Sequence, residues 1–182
     1  MIPDGETFAF PYILHSLSEI RNFRLIVMST KKDFPLRYSR HIHRFLFFPE
    51  QNDKRDWIKI INTVVENYSV DLIMPIFETG IKILLENKPL LLQNSSKLVP
   101  LPSLHDFNVA SNKALLAVHL DNIGLSGPKT TPLTSDIING ETNLKLKFPI
   151  LSKPLKSGSG RGIIKFEDHK SLTDHFVTIG LN

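Results

Sequence analysis

Read from its start, the chain alternates stretches of helical period with short runs that are apolar throughout. Phe10, Ile13, Leu14, Leu17 and Ile20 fall three or four residues apart, which predicts a helix over 8–20. Pro11 fits that helix in the first turn, where its missing N–H would have no intrahelical partner anyway. Residues 23–28 are apolar apart from Arg24 and have the length of a strand, and 45–48, Phe-Leu-Phe-Phe, read as a second. Asp53 is placed to cap a helix running to about Tyr68, with Trp57, Ile60, Ile61, Val64 and Val65 along one face. Residues 70–77 read as a buried strand and 79–87 as the helix after it. Helices alternating with strands that carry few polar residues predict an α/β fold, a Rossmann-like parallel sheet covered on both faces. Ile2-Pro3-Asp4-Gly5-Glu6 looks like the end of a first strand and its turn, although a strand usually has about 5–6 residues. Either this strand is very short or the chain begins inside it.

The texture changes after residues 98–102, where Pro100 and Pro102 mark a connection. Phe107, Ala110, Ala114, Ala117 and Val118 then share one helical face, widened by Leu115 and Leu116. This predicts a helix from His105 or Asp106 to about Gly124 with that face buried, and with Asn112, Lys113 and Asp121 among its apolar positions. Residues 125–132 are extended and turn-rich. Further on, the apolar runs 148–151 and 163–166 flank a loop in which glycines alternate with Ser157, Ser159 and Arg161, the pattern of a β-hairpin with a long tip.

With 41% apolar residues, 182 residues can build one large core or two small ones. No apolar run approaches the ~20 residues that span a bilayer, and Met1 to Glu6 lack the features of a signal peptide, so a cytoplasmic protein without a membrane partner is expected. The absence of cysteine excludes disulfides and thiolate metal sites. A net charge of +4 is modest and spread out, and fits anionic small molecules. The densest basic stretch holds Arg37, Arg40, His41, His43 and Arg44 beside Tyr38 and Phe45. It is too short for a nucleic-acid surface, and no nucleic-acid partner is expected. On a strand, His41 and His43 would point to the same face and could hold a metal, but solvated histidines beside arginines are the plainer reading. No metal ligand is assigned; an acidic substrate group would suit this stretch better.

In a parallel α/β sheet, ligands gather beyond the carboxyl ends of the strands, here near Asp4-Gly5-Glu6, Ser29 and Glu78-Thr79-Gly80. Glu78 could meet a substrate ammonium or hydroxyl, or cap the following helix, and capping is the plainer reading. The glycine loop of 157–162 carries more specific chemistry. Without Cβ atoms, successive backbone N–H groups can turn toward one anion, while serine and arginine add donors. A surface hairpin with a lysine on its polar side is the alternative. The loop lacks the Gly-Lys-Ser/Thr of a Walker A sequence, and it lies between strands instead of opening a helix.

That context resembles the ATP-grasp superfamily. The matching residues are Phe148, Pro149, Lys153, Pro154, Gly158, Gly160 and Gly162 in the hairpin. They are preceded by Asn112-Lys113 on a helix and by Gly124, Pro128 and Thr130, in the order of the carbamoyl-phosphate synthase and biotin carboxylase group. The resemblance implies that Lys113 and Lys153 meet nucleotide phosphates. Ser157, Gly158, Ser159, Gly160, Arg161 and Gly162 would form a mobile lid over them. It further implies a pre-ATP-grasp Rossmann-like domain over 1–102 and the first part of an ATP-grasp domain over 103–182.

The family's second subdomain, which supplies the adenine contacts and the ligands of Mg²⁺, would follow the hairpin and its helix at 167–180. The chain is therefore expected to be an N-terminal part of a longer protein, inactive alone, with its Mg²⁺ ligands beyond residue 182. For the intact protein the resemblance implies ATP-dependent activation of a small carboxylate to an acyl phosphate, which an amine then attacks. An incomplete domain would also expose apolar surface, and a homodimer is one expected outcome. The competing reading is a noncatalytic Rossmann-like binding or scaffold module. A dinucleotide oxidoreductase is disfavoured because the first turn, Asp4-Gly5-Glu6, lacks the glycine fingerprint.

Overall fold

The computed structural model describes residues 1–158 and 160–180. Two compact units are present, Met1–Leu104 and His105–Asn182, each with its own core.

The first unit is a mixed helix and strand structure around a small parallel sheet. Strand β1 (Ile26–Ser29) pairs in parallel with β2 (Arg44–Phe47), and Ile2 bridges to Val27 on the other side of β1. The short first strand is thus a single bridge, extended by hydrogen bonds from Gly5 N–H to the Met28 carbonyl and from Met28 N–H to the Ile2 carbonyl. The strand expected over 70–77 is reduced to a bridge between Ile73 and Leu98. The reason is chemical: Pro75 has no N–H to give, and the next two amides, Ile76 and Phe77, donate to the Asp4 carboxylate instead of to a neighbouring strand.

Helix α1 (Phe10–Ser18) carries Pro11 in its first turn and buries Phe10 and Leu14, whereas Ile20 lies past its end and is exposed. Helix α2 (Lys54–Asn67) begins where Asp53 accepts a hydrogen bond from Arg55 N–H at 2.8 Å. It buries Trp57, Ile58, Ile61, Val64 and Val65 against Met28, Ile73 and Leu84, and Ile60 is only partly covered. Helix α3 (Glu78–Glu86) follows the Asp4 contact directly. Glu78 opens it as a first-turn acid, and no side-chain cap is made at the helix start, so the capping role expected for it is not seen.

In the second unit the single helix expected over 105–124 is two, α4 (Leu104–Ala110) and α5 (Lys113–Asn122). Asn112 sits between them in extended backbone, and its side chain accepts from the N–H groups of Ala114 and Leu115 at 3.0 and 3.2 Å. A side chain that competes so well for the first-turn amides ends one helix and starts another. Apolar positions on either side of the break then cannot share one face. No residue of α4 or α5 is buried, and Val118, expected inside, is 58% exposed. The core of this unit is made instead by Ile137 and Ile138 of α6 (Ser135–Ile138), Phe166 of the hairpin and Leu172 of α7 (His169–Thr178). Strands β3 (Ile150–Ser152) and β4 (Ile164–Phe166) pair antiparallel, Ile150 opposite Phe166 and Ser152 opposite Ile164.

Among the described residues no helix is long and apolar enough to cross a membrane.

Candidate functional site

The loop between β3 and β4 is held at its base and open at its tip. Gly160 and Gly162 both have positive φ, +73° and +72°, a backbone region that side-chain-bearing residues rarely occupy. A Cβ on Gly162 would also come within 2.7 Å of the Pro154 ring, so glycine lets the two arms of the loop cross. Gly158 and Gly160 face open space. Within the loop Arg161 N–H donates to the Gly158 carbonyl and Ile163 N–H to that of Gly160. Among the described residues the N–H groups of Gly158, Gly160 and Gly162 make no hydrogen bond, so they remain available to an anion. Ser159, also expected in this site, lies outside the described residues. A Gly162→Ala variant is expected to lose about 1–2 kcal/mol of stability, from the strained φ and the Pro154 contact together. Calorimetric melting would show this as a lowered Tm.

Lys113 is brought to this loop. Its ammonium donates to the Ser157 carbonyl at 2.8 Å and to the Ser157 hydroxyl at 3.3 Å, while its backbone N–H donates to the Leu155 carbonyl at 3.1 Å. With those bonds made, one of its three ammonium protons is left for a ligand. The amino end of α5 is closed to anions: its first amides are taken by Leu155, the Asn112 side chain and the Asn112 carbonyl. The Lys153 and Arg161 side chains are exposed and make no hydrogen bond or ion pair among the described residues. Lys153 is therefore at the loop without being joined to Lys113. The local charge is one-sided, since residues 143–166 hold Lys145, Lys147, Lys153, Lys156, Arg161 and Lys165 and no acidic residue. Among the described residues, Lys165 is the one of these that is ion-paired, with Glu167 at 2.7 Å.

A second feature lies wholly in the first unit. A cleft of about 340 Å³ opens beyond the carboxyl ends of the strands, lined by Asp4, Glu6, Thr30, Glu50, Lys54 and Trp57 among others. Asp4 is 7% exposed and accepts from Ile76 and Phe77 N–H, yet burial wins over these bonds and raises its pKa to about 6. Gly80 makes this approach possible, because a Cβ there would overlap the Asp4 carboxylate. Glu6 accepts from the N–H and hydroxyl of Thr30 at 3.3 and 3.2 Å. Ser29 turns inward, bonding to Lys31, and it is Thr30 that reaches the cleft. Glu50, Lys54 and Trp57 were not legible as cleft residues from spacing, since they arrive from the far side of β2 and the start of α2.

The basic stretch is split. Arg40, His41 and His43 line a shallow cleft of about 250 Å³ with Arg24, whereas Arg37 lies over the Tyr38 and Phe45 rings and donates to the Lys32 carbonyl. His41 and His43 precede β2 instead of lying on it, and His41 accepts from Arg40 Nε. No group of three or more His, Asp or Glu placed to hold a metal occurs among the described residues.

No protein-family model matches the sequence, and no curated protein does. Solved structures do match in fold. An L-amino acid ligase from Bacillus licheniformis superposes with a TM-score of 0.66 at 17% identity, over 93% of this chain and 39% of that one. The biotin carboxylase domain dimer of 2-oxoglutarate carboxylase from Hydrogenobacter thermophilus was crystallised with MgADP, ADP and bicarbonate. It superposes with a TM-score of 0.59 at 16% identity, over 97% of this chain and 39% of that one. The chain spans well under half the length of either protein, and at such identities the likeness is one of fold. Both are ATP-grasp enzymes, and over those spans the chain shares their fold.

Proposed function

We propose that the hairpin of the second unit binds the triphosphate of ATP, in a protein that activates a small carboxylate and joins it to an amine. The observation that carries this reading is the loop itself. Three glycine N–H groups, unpaired among the described residues, sit on an open tip, Lys113 clasps its base at Ser157, and the surrounding chain holds six cations and no acid. Such a surface favours a polyanion over any neutral or cationic ligand. The ATP-grasp fold supports the choice of ATP among polyanions.

In this reading the N–H groups of Gly158, Gly160 and Gly162 hold phosphate oxygens, Lys153 and Arg161 add free positive charge, and Lys113 both shapes the loop and contributes its remaining proton. Ser157 is bound to Lys113, and Ser159 would add a further hydroxyl. The hairpin does not fit Mg²⁺ as a ligand set, because 143–166 contains no carboxylate. The charge this unit brings to phosphate therefore comes from lysine and arginine. For the whole protein, a carboxylate oxygen would attack the terminal phosphorus as ADP leaves. The amine nitrogen would then attack the acyl carbon as phosphate leaves. The open loop tip is suited to close over the nucleotide and exclude water.

Titration calorimetry with ATP, with and without Mg²⁺, tests the reading. Lys153→Ala is expected to weaken ATP binding about tenfold to a hundredfold, the range of one charge-assisted hydrogen bond. Lys113→Ala should do the same and also loosen the loop. Unchanged affinity in both variants would favour the noncatalytic binding module.

A further inference from the structure

The cleft of the first unit has a charge and shape that the nucleotide reading leaves unused. Its lining carries three carboxylates, Asp4, Glu6 and Glu50, and one cation, Lys54, which is already 3.4 Å from Glu50. Asp4 and Glu6 are close enough for the Glu6 charge to disfavour ionisation of Asp4, and no protein cation is paired with either among the described residues. An incoming cation would relieve that repulsion. Glu6 spends two acceptor positions on Thr30 and keeps others, since a carboxylate offers about four.

The rest of the wall is aromatic. Trp57 is buried beneath the cleft, and Phe8, 60% exposed, stands edge-on to Phe77 with ring centroids 5.6 Å apart. Aromatic faces attract organic cations as well as apolar groups. Thr7, on the same lining, holds a buried hydroxyl without a partner among the described residues. The volume falls in the range of small-molecule sites.

We propose that this cleft binds a small organic molecule bearing a primary ammonium, its charge set against Glu6 and its apolar body along Phe8, Trp57 and Phe77. The site gives the amine of the ligase reading a place to bind. It is nevertheless argued from the first unit alone, so either assignment can fail without the other.

Trp57 is the chain's one tryptophan, so its fluorescence reports this cleft directly. The test titrates the chain with 2-phenylethylammonium chloride at constant ionic strength, and with 2-phenylethanol and 3-phenylpropionate as neutral and anionic counterparts. Saturable binding of the ammonium is expected, with the alcohol and the carboxylate at least about tenfold weaker. Glu6→Gln is expected to weaken the ammonium about tenfold and to leave the alcohol unchanged. Should Glu6→Gln lose its fold by circular dichroism, Glu50→Gln replaces it, at an exposed position, with a loss of about threefold expected. Equal affinity for the three probes, tighter binding of the carboxylate, or no saturation by about 10 mM ammonium would overturn the proposal. Lys153→Ala should leave this titration untouched, and Glu6→Gln should leave ATP binding untouched.

Discussion

Replacing Asp4 by asparagine is expected to abolish a pH dependence of stability worth about 3 kcal/mol. The folded protein raises the Asp4 pKa from 3.8 to about 6, chiefly because the carboxylate is buried, with the Glu6 charge adding to the effect. A raised carboxylate pKa means that the folded state holds the proton more tightly than the unfolded state. The contribution of Asp4 is therefore most favourable below about pH 4 and is lost as pH rises through 6. The difference between 3.8 and about 6, at 1.36 kcal/mol per unit, sets the size of the loss at about 3 kcal/mol. Asparagine keeps an oxygen for the Ile76 and Phe77 amides and cannot ionise. Urea unfolding of both proteins between pH 4 and 7 would then show the variant gaining on the natural chain as pH rises. Glu6, Glu50 and Lys54, which face the same cleft, are present in both proteins. Parallel profiles would show that Asp4 is not held in the buried state described.

A comparable loss, about 2–5 kcal/mol, is expected for Ile61→Ala. Ile61 is fully buried between α2 and the small parallel sheet, where it meets Trp57, Val65 and Leu84 in one cluster. Its truncation removes apolar surface and leaves a void that close-packed neighbours fill only in part. Against a typical domain stability of about 5–15 kcal/mol this is a large fraction. Trp57 fluorescence follows the first unit specifically, so the shift in urea midpoint can be read from it. Ile60→Ala, one residue away and only partly covered, should cost clearly less. Equal losses at the two positions would contradict the helix phase that the structure gives α2.

Most of that phase was readable beforehand. Trp57, Ile61, Val64 and Val65 have the spacing of one helical face and are buried, whereas Ile60, expected with them, is only partly covered and Ile58 is buried in its stead; Asp53 is a cap residue in the right place. The same local logic marked the hairpin, because glycine alternation between two apolar runs has few other uses. It failed where a contact distant in sequence supplied the answer. Residues 70–77 carry the composition of a strand, but the amides of Ile76 and Phe77 are claimed by Asp4, more than seventy residues earlier. Residues 105–124 carry the spacing of one helix, but the Asn112 side chain divides it, and a cap inside an apolar pattern looks like any other polar interruption.

What the chain determined by itself is what depends on neighbours within a few residues: helix faces, the cap at Asp53, and the left-handed glycines Gly160 and Gly162. Tertiary structure decided which distant groups meet. It set Lys113 on Ser157, forty-four residues away, and it buried Asp4 beside Gly80 while gathering Glu6, Glu50 and Trp57 around one cleft. Periodicity records which way a side chain points from its own element. The partner it finds there depends on how separate elements pack, and no local pattern encodes that.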